Sequence, residues 1–387
     1  MKLPPPDQLT ILVVDDMDNM RRSIRAMLKL IHYGRTIIEA GDGRQAWDIL
    51  NKGEDEIHFI ISDWNMPRMT GTELLNLVRA SRQFRDIPFL MITAEANKEV
   101  VAEAAENEVD AYLTKPFVTV SLEKKLAELI HSANNPDPLT QLLARIRELE
   151  ESGDIDTAID LATRAVGMGS RTSRPHRELG RLYLKKRQLA EARQCFEQAI
   201  GINMLDVSSF HYLGQIYYQQ DEIDRAIECF ARAMDISPRH ADRALKFANL
   251  LIRRDKPHAA EKVFTLILKN NPNSLELKEE IGRVCLDNRL YDLAARIFRG
   301  LLQLLPGRTD LAKLVGMAML GKEMIRDAIP FLEKALEKSP EDIELLLMLA
   351  EASLAIRKPV PAEKWAVTVI RMDPNNERAR AVLARID

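Results

Sequence analysis

Ala158, Ala192, Ala226, Ala260, Ala294, Ala328 and Ala362 stand 34 residues apart, and nothing else in the sequence narrows its possible folds so far. Pro238, Pro272, Pro306, Pro340 and Pro374 keep the same period in a second phase; Gly180, Gly214, Ala248, Gly282, Gly316 and Ala350 keep it in a third. Chance does not supply three phases at one period. A repeat of this length is one supersecondary unit that cannot bury its apolar face alone, so successive units stack into a continuous core. Small residues at two of the phases let two antiparallel helices approach closely, with larger neighbours filling the gaps. The proline then ends the second helix and turns the chain.

One copy shows the whole pattern: Phe210, Leu213, Gly214 and Tyr217, then Ala226, Phe230, Ala233 and Pro238. It resembles the tetratricopeptide repeat. Counted from 139, seven repeats reach 376. The first (139–172) is degenerate, and the last carries Ser353 and Ala366 where aromatics would sit; atypical ends are expected of caps. Residues 377–387 (ERARAVLARID) read as a closing helix. The resemblance implies a concave groove lined by the first helix of each repeat. Phase assigns to it Arg174, Arg177, Arg181, Lys185, His211, Tyr212, Gln215, Tyr218, Lys246, Asn249 and Arg253, followed by the apolar Leu314, Met317, Leu347 and Met348. The groove would take a protein or peptide. The competing reading is a solvated basic face beside ordinary helix packing. Gln215 stands where the chaperone-binding carboxylate clamp favours Asn, which argues against a chaperone tail.

The first third of the chain has a different grammar. Apolar runs at Thr10–Val14, Thr36–Glu39, Ile57–Ser62, Pro88–Thr93 and 110–113 read as strands, separated by helical spacing over 18–31, the segment after 41–43, 72–80, 97–107 and 119–131. Strands alternating with helices imply a parallel sheet covered on both faces, whose binding crevice lies at the carboxyl ends of the strands. Asp15 and Asp16 end the first strand, Asp63 the third and Thr93 the fourth, while Lys115 follows the fifth. A lone Asp at a strand end usually begins a turn. Three at one edge repel each other unless a cation neutralises them, and oxygen donors in an incomplete cage favour Mg²⁺.

VVDDMDNMRR, SDWNMP, MITAEA and YLTKPF resemble the receiver domain of bacterial response regulators, across residues 8–131. The resemblance implies a flavodoxin-like (βα)5 fold, the strand-order class for which this family is a standard example. It further implies that Asp63 accepts a phosphoryl group from a histidine kinase or histidine phosphotransfer protein. Mg²⁺ would be held by Asp15, Asp16, Asp63 and the backbone carbonyl of Asn65, with Lys115 and Thr93 at the phosphoryl oxygens and Tyr112 repacking as Thr93 moves. A cis Lys115–Pro116 bond is implied as well. Asn65 and Glu95 match the family positions that set hydrolysis rate. Thr70 departs from it, standing where many receivers carry Asp. A haloacid-dehalogenase-type phosphatase also forms an aspartyl phosphate, but Trp64 and Asn65 do not fit its nucleophile motif.

Residues 132–138 (SANNPDP) read as the linker between an α/β receiver (1–131) and an all-α solenoid (139–376) closed by a helix (377–387). The chain carries a net charge of −3, split as −6 over residues 1–138 and +3 beyond, so no basic surface advertises nucleic acid. Three widely spaced cysteines suit a reducing cytosol, and neither a signal peptide nor a membrane span is visible, so the expected place is the cytoplasm. No catalytic output domain is visible, which makes a non-enzymatic, phosphorylation-switched adaptor the leading expectation. The alternatives are a phosphorylation-independent scaffold and a phosphate sink. The switch reading expects the face built by residues 97–131 to rest on the first repeats and to cover Arg174, Arg177 and Arg181.

Overall fold

A computed structural model describes residues 2–94, 109–169, 171–237 and 241–386. Glu95, the helix expected over 97–107 and Pro238 lie outside the described residues. Strands β1 (Thr10–Val14), β2 (Thr36–Ala40), β3 (Phe59–Asp63), β4 (Phe89–Thr93) and β5 (Ala111–Thr114) form one parallel sheet in the order β2-β1-β3-β4-β5. Helices α1 (Asp18–Leu30), α2 (Gly43–Lys52) and α3 (Gly71–Ala80) and the helix Thr119–Asn134 cover it. β1, β3 and β4 are apolar almost throughout because both faces are buried, one against α2 and α3, the other against α1 and Thr119–Asn134.

The third strand differs from its expected span of 57–62. The β1–β3 ladder opens at the Ile11–Phe59 pair. Ahead of it, the His58 N–H donates to the Thr10 carbonyl at 2.9 Å, while the returning Thr10 N–H goes to the His58 ring nitrogen Nδ1 at 3.0 Å and not to a backbone carbonyl. At the other end the strand runs one residue further, so that Asp63 pairs with Ile92 as a strand residue and not as the first residue of a turn.

The expected linker is also corrected. The last helix of this layer continues through Ser132, Ala133 and Asn134, since nothing there stops a helix, and Asn134 ends by accepting the Leu3 N–H at 2.7 Å. Asp137 caps the next helix, which has Pro138 in its first turn, so only 135–137 separate the two. The compact units divide elsewhere, into Met1–Ser237 and Pro238–Asp387. Within the first, Arg82 and Arg85, in the segment between α3 and β4, both pair with Glu151 near the end of the helix Pro138–Ser152.

From Pro138 the described residues form seven helix pairs, beginning with Pro138–Ser152 and Ile155–Gly167 and ending with Ile343–Ala355 and Pro359–Met372; Glu377–Leu383 follows. Gly214 shows what the small phase does. A Cβ there would lie 2.7 Å from the Phe230 ring, and Gly180 against Phe196 and Gly282 against Phe298 are nearly the same at 2.8 Å. The turn inside each pair repeats too. Gly153, Arg187, Asp221, Asp255, Arg289, Glu323 and Arg357, each 34 residues from the last, have φ between 55° and 86°.

Candidate functional site

The crevice at the carboxyl ends of β1, β3, β4 and β5 gathers the predicted residues unevenly. Asp15 continues β1, its N–H bonded to the Ala40 carbonyl at 3.2 Å, and is fully buried. Its Oδ1 accepts the Met17 N–H at 2.9 Å, and its Oδ2 meets the Lys115 ammonium at 3.0 Å. The same ammonium lies 2.5 Å from Asp63 Oδ1, while Asp63 Oδ2 accepts the Asn65 N–H at 3.1 Å. Asp63 is 8% exposed: reachable, but largely desolvated. Lys115 is fixed from behind, its own N–H donating to the Thr93 carbonyl at 2.7 Å, and the Lys115–Pro116 bond is cis. Thr93 is buried at the end of β4. The pairs Met91–Tyr112 and Thr93–Thr114 put Tyr112 and Thr93 on one face of the sheet, with Tyr112 39% exposed.

The charges oppose one another. Burial raises the Asp63 carboxyl above its ordinary range, more than the hydrogen bond and charge of Lys115 pull it down. Burial alone would lower Lys115, but its hydrogen bonds to Asp63 and Asp15 raise it, so the ammonium keeps its charge.

Among the described residues, no three His, Cys, Asp or Glu side chains converge on a point ready for a metal. The three carboxylates of the sheet edge are not equally placed. Asp15 and Asp63 meet around one ammonium, whereas Asp16, the next residue along the extended chain, faces solvent. The donor chemistry nevertheless fits a hard divalent cation: two desolvated carboxylates, a third at the open side, and access for water.

The proposed groove changes more. Arg177 is buried and paired with Asp206 at 3.3 Å, where Asp206 also caps the helix Val207–Gln219. Arg181 and Lys185 each reach Glu150 at 2.6 Å, a carboxylate almost hidden between them. Arg177 and Arg181 join neighbouring repeats through acids one repeat away, while Lys185 stays half exposed although it is paired. His211 is buried against Phe230, with ring centres 5.5 Å apart, and Tyr212 stacks on Phe196 at 4.8 Å. Gln215 is exposed, and Arg174, Tyr218 and Asn249 are half-buried. Lys246 and Arg253 are exposed, but with Asn249 they belong to the second compact unit. Leu347 and Met348 are buried packing residues; Leu314 and Met317 are half-buried. Arg177 and Arg181 pair with the array's own acids and Arg82 and Arg85 of the receiver reach Glu151, while residues 97–108 of the face expected to cover Arg174, Arg177 and Arg181 lie outside the described residues.

The response regulator receiver domain family matches residues 11–127. Over 121 residues the chain is 41% identical to the chemotaxis protein CheY-3 of Vibrio cholerae, covering 91% of that protein and 31% of this chain. This chain belongs to the response regulator receiver family. It is likewise 40% identical over 126 residues to the chemotaxis protein CheY of Pseudomonas aeruginosa, covering 99% of that protein and 33% of this chain. Beyond the receiver, tetratricopeptide repeat families match 143–206, 207–240, 245–309 and 319–386. Among solved structures, the chemotaxis response regulator CheY4 of Vibrio cholerae is 33% identical and covers 32% of this chain and 98% of that one, with a TM-score of 0.29. The chain is therefore a response regulator whose receiver is joined to a protein-interaction array. No described helix is long and apolar enough to cross a membrane.

Within this receiver, Thr70 is no loss. It caps α3 by accepting the Glu73 N–H while Glu73 returns to the Thr70 N–H, a closed capping box. Two crevice arginines escaped sequence reasoning. Arg21 donates to the Asp15 carbonyl at 2.6 Å, and Arg68 closes on the buried Asp42. Asp42 and its partner lie 26 residues apart, and no motif joins them.

Proposed function

We propose that this protein is a phosphorylation-switched adaptor. Asp63 accepts a phosphoryl group from a histidine kinase or histidine phosphotransfer protein, and the array binds a protein partner according to that state. The observation that carries this reading is the Asp63 carboxylate at the rim of the sheet, held by Lys115 at 2.5 Å and by the Asn65 N–H at 3.1 Å.

An ionised Asp63 oxygen attacks the donor phosphorus. The O–P bond forms as the P–N bond to the donor histidine breaks, and the departing imidazole nitrogen takes a proton from solvent. Lys115 neutralises charge building on the transferred oxygens, and Thr93 offers its hydroxyl to the bound phosphoryl group. Mg²⁺, held by Asp15, Asp16, Asp63 and the Asn65 carbonyl, supplies further charge neutralisation when bound. The acyl phosphate is then lost to water. That makes the protein a signal carrier, not an enzyme acting on an external substrate, and its donors place it in the cytoplasm.

Incubation with acetyl phosphate and Mg²⁺ should add one phosphoryl group by intact mass. Asp63→Asn should abolish it, because an amide is a poor nucleophile. Equal labelling of that variant would sink the assignment.

A further inference from the structure

Resting on that reading, we propose that Arg68 is a positioning residue for the phosphoacceptor loop, clamping the segment that carries Asn65 through the buried carboxylate of Asp42. The segment 64–71 leaves β3 at Asp63 and closes on itself, with the Gly71 N–H bonded to the Trp64 carbonyl at 3.0 Å. Gly71 lies so near that a Cβ there would sit 2.1 Å from the Asp63 carbonyl oxygen. The inner side of the loop is thus fixed. Its outer side turns on Arg68, where φ is 64° and the Met69 N–H bonds to the Pro67 carbonyl at 2.7 Å. A three-residue turn with a positive central φ is rare and strained for a residue other than glycine.

Strain of this kind persists only where the surroundings over-determine it. Here they do. The Arg68 guanidinium closes on Asp42, which is fully buried although the arginine side chain is 72% exposed. The other Asp42 oxygen caps α2 by accepting the Gln45 N–H at 2.9 Å. Beside this ion pair the Gly43 N–H bonds to the Met69 carbonyl at 3.1 Å, and a Cβ on Gly43 would meet Met69 at 2.7 Å. The loop after β2 and the loop after β3 are therefore zipped together. Asn65 lies inside the zipped segment, and its N–H is the group that orients Asp63 Oδ2. Released from Asp42, the loop would let Asn65 wander. Asp63 would then lose its alignment, and the carbonyl assigned to Mg²⁺ would lose its place.

The test compares wild type, Arg68→Lys, Arg68→Gly and the double variant Asp42→Asn/Arg68→Gly in the full chain. Glycine keeps the turn without strain. The double variant also leaves no buried charge unpaired, so it separates loss of folding from loss of positioning. Each is measured for melting temperature, for Mg²⁺ affinity by titration calorimetry, and for the rate of acetyl phosphate labelling. We expect Arg68→Gly and the double variant to bind Mg²⁺ and to label about tenfold more weakly, with the double variant melting near wild type and Arg68→Lys recovering part of both. Wild-type Mg²⁺ affinity and rate in the double variant overturn the clamp. If wild type itself fails to label, the phosphoacceptor reading falls instead, while Mg²⁺ affinity still decides whether Arg68 positions the loop.

Discussion

Asp63 serves two opposed demands. As the proposed nucleophile it must be ionised, yet the burial that shapes its crevice favours the neutral acid and raises its pKa above the ordinary carboxylate range. The sign follows directly: in the metal-free protein the Asp63 carboxyl should take up its proton above 3.8, the ordinary carboxylate value, as pH drops. A carboxyl-carbon NMR titration without Mg²⁺ checks it, and a midpoint at or below 3.8 would show that Asp63 is no more buried in solution than an ordinary surface acid. In the sequence Asp63, Thr93 and Lys115 were legible because strand ends converge in any parallel sheet. The orientation of Asp16 and the reach of Arg68 were not, since neither depends on local pattern.

At the scale of elements, positions 29 apart form a ladder between successive first helices. Arg177 meets Asp206, and Lys313 meets Asp342 at the same repeat phase. Glu279 meets Arg308 there with the charges exchanged. In the fourth repeat the two positions are a buried leucine, Leu245, and the helix cap Ser274. One geometric slot thus holds four chemistries, which gives each joint its own identity. Arg177→Leu strands Asp206 in a buried site and should cost on the order of 3 kcal/mol in chemical denaturation. Arg177→Leu/Asp206→Ser copies the fourth repeat and should recover most of that; a double variant as unstable as the single would refute the equivalence. The helix pairs themselves were legible from period alone. Their pairing chemistry was not, because charge reversal between repeats cancels in any averaged pattern. The positive-φ turns were hidden too: only Gly153 announces one, while Arg, Asp and Glu fill the rest.

Across the whole molecule the boundary read from composition and the boundary set by packing disagree. Pro and Asn mark 132–138 in the sequence, yet the receiver and the first repeats belong to one compact unit, with Arg82 and Arg85 meeting at Glu151. Arg79 braces that segment, donating to the Arg85 and Ile87 carbonyls at 2.8 and 3.0 Å. Glu151→Arg should loosen the junction, raising proteolysis within 135–137 by about fivefold, the equivalent of roughly 1 kcal/mol. The same variant should label Asp63 at the wild-type rate, because the contact precedes β4 whereas Asp63 stands at the strands' far ends. A slowed rate would tie the junction to the crevice. That polarity decides traffic at the surface. Under the proposed function, a donor approaching Asp63 would not have to break the Arg82 and Arg85 pairs with Glu151, so loading the signal and holding a partner need not take turns.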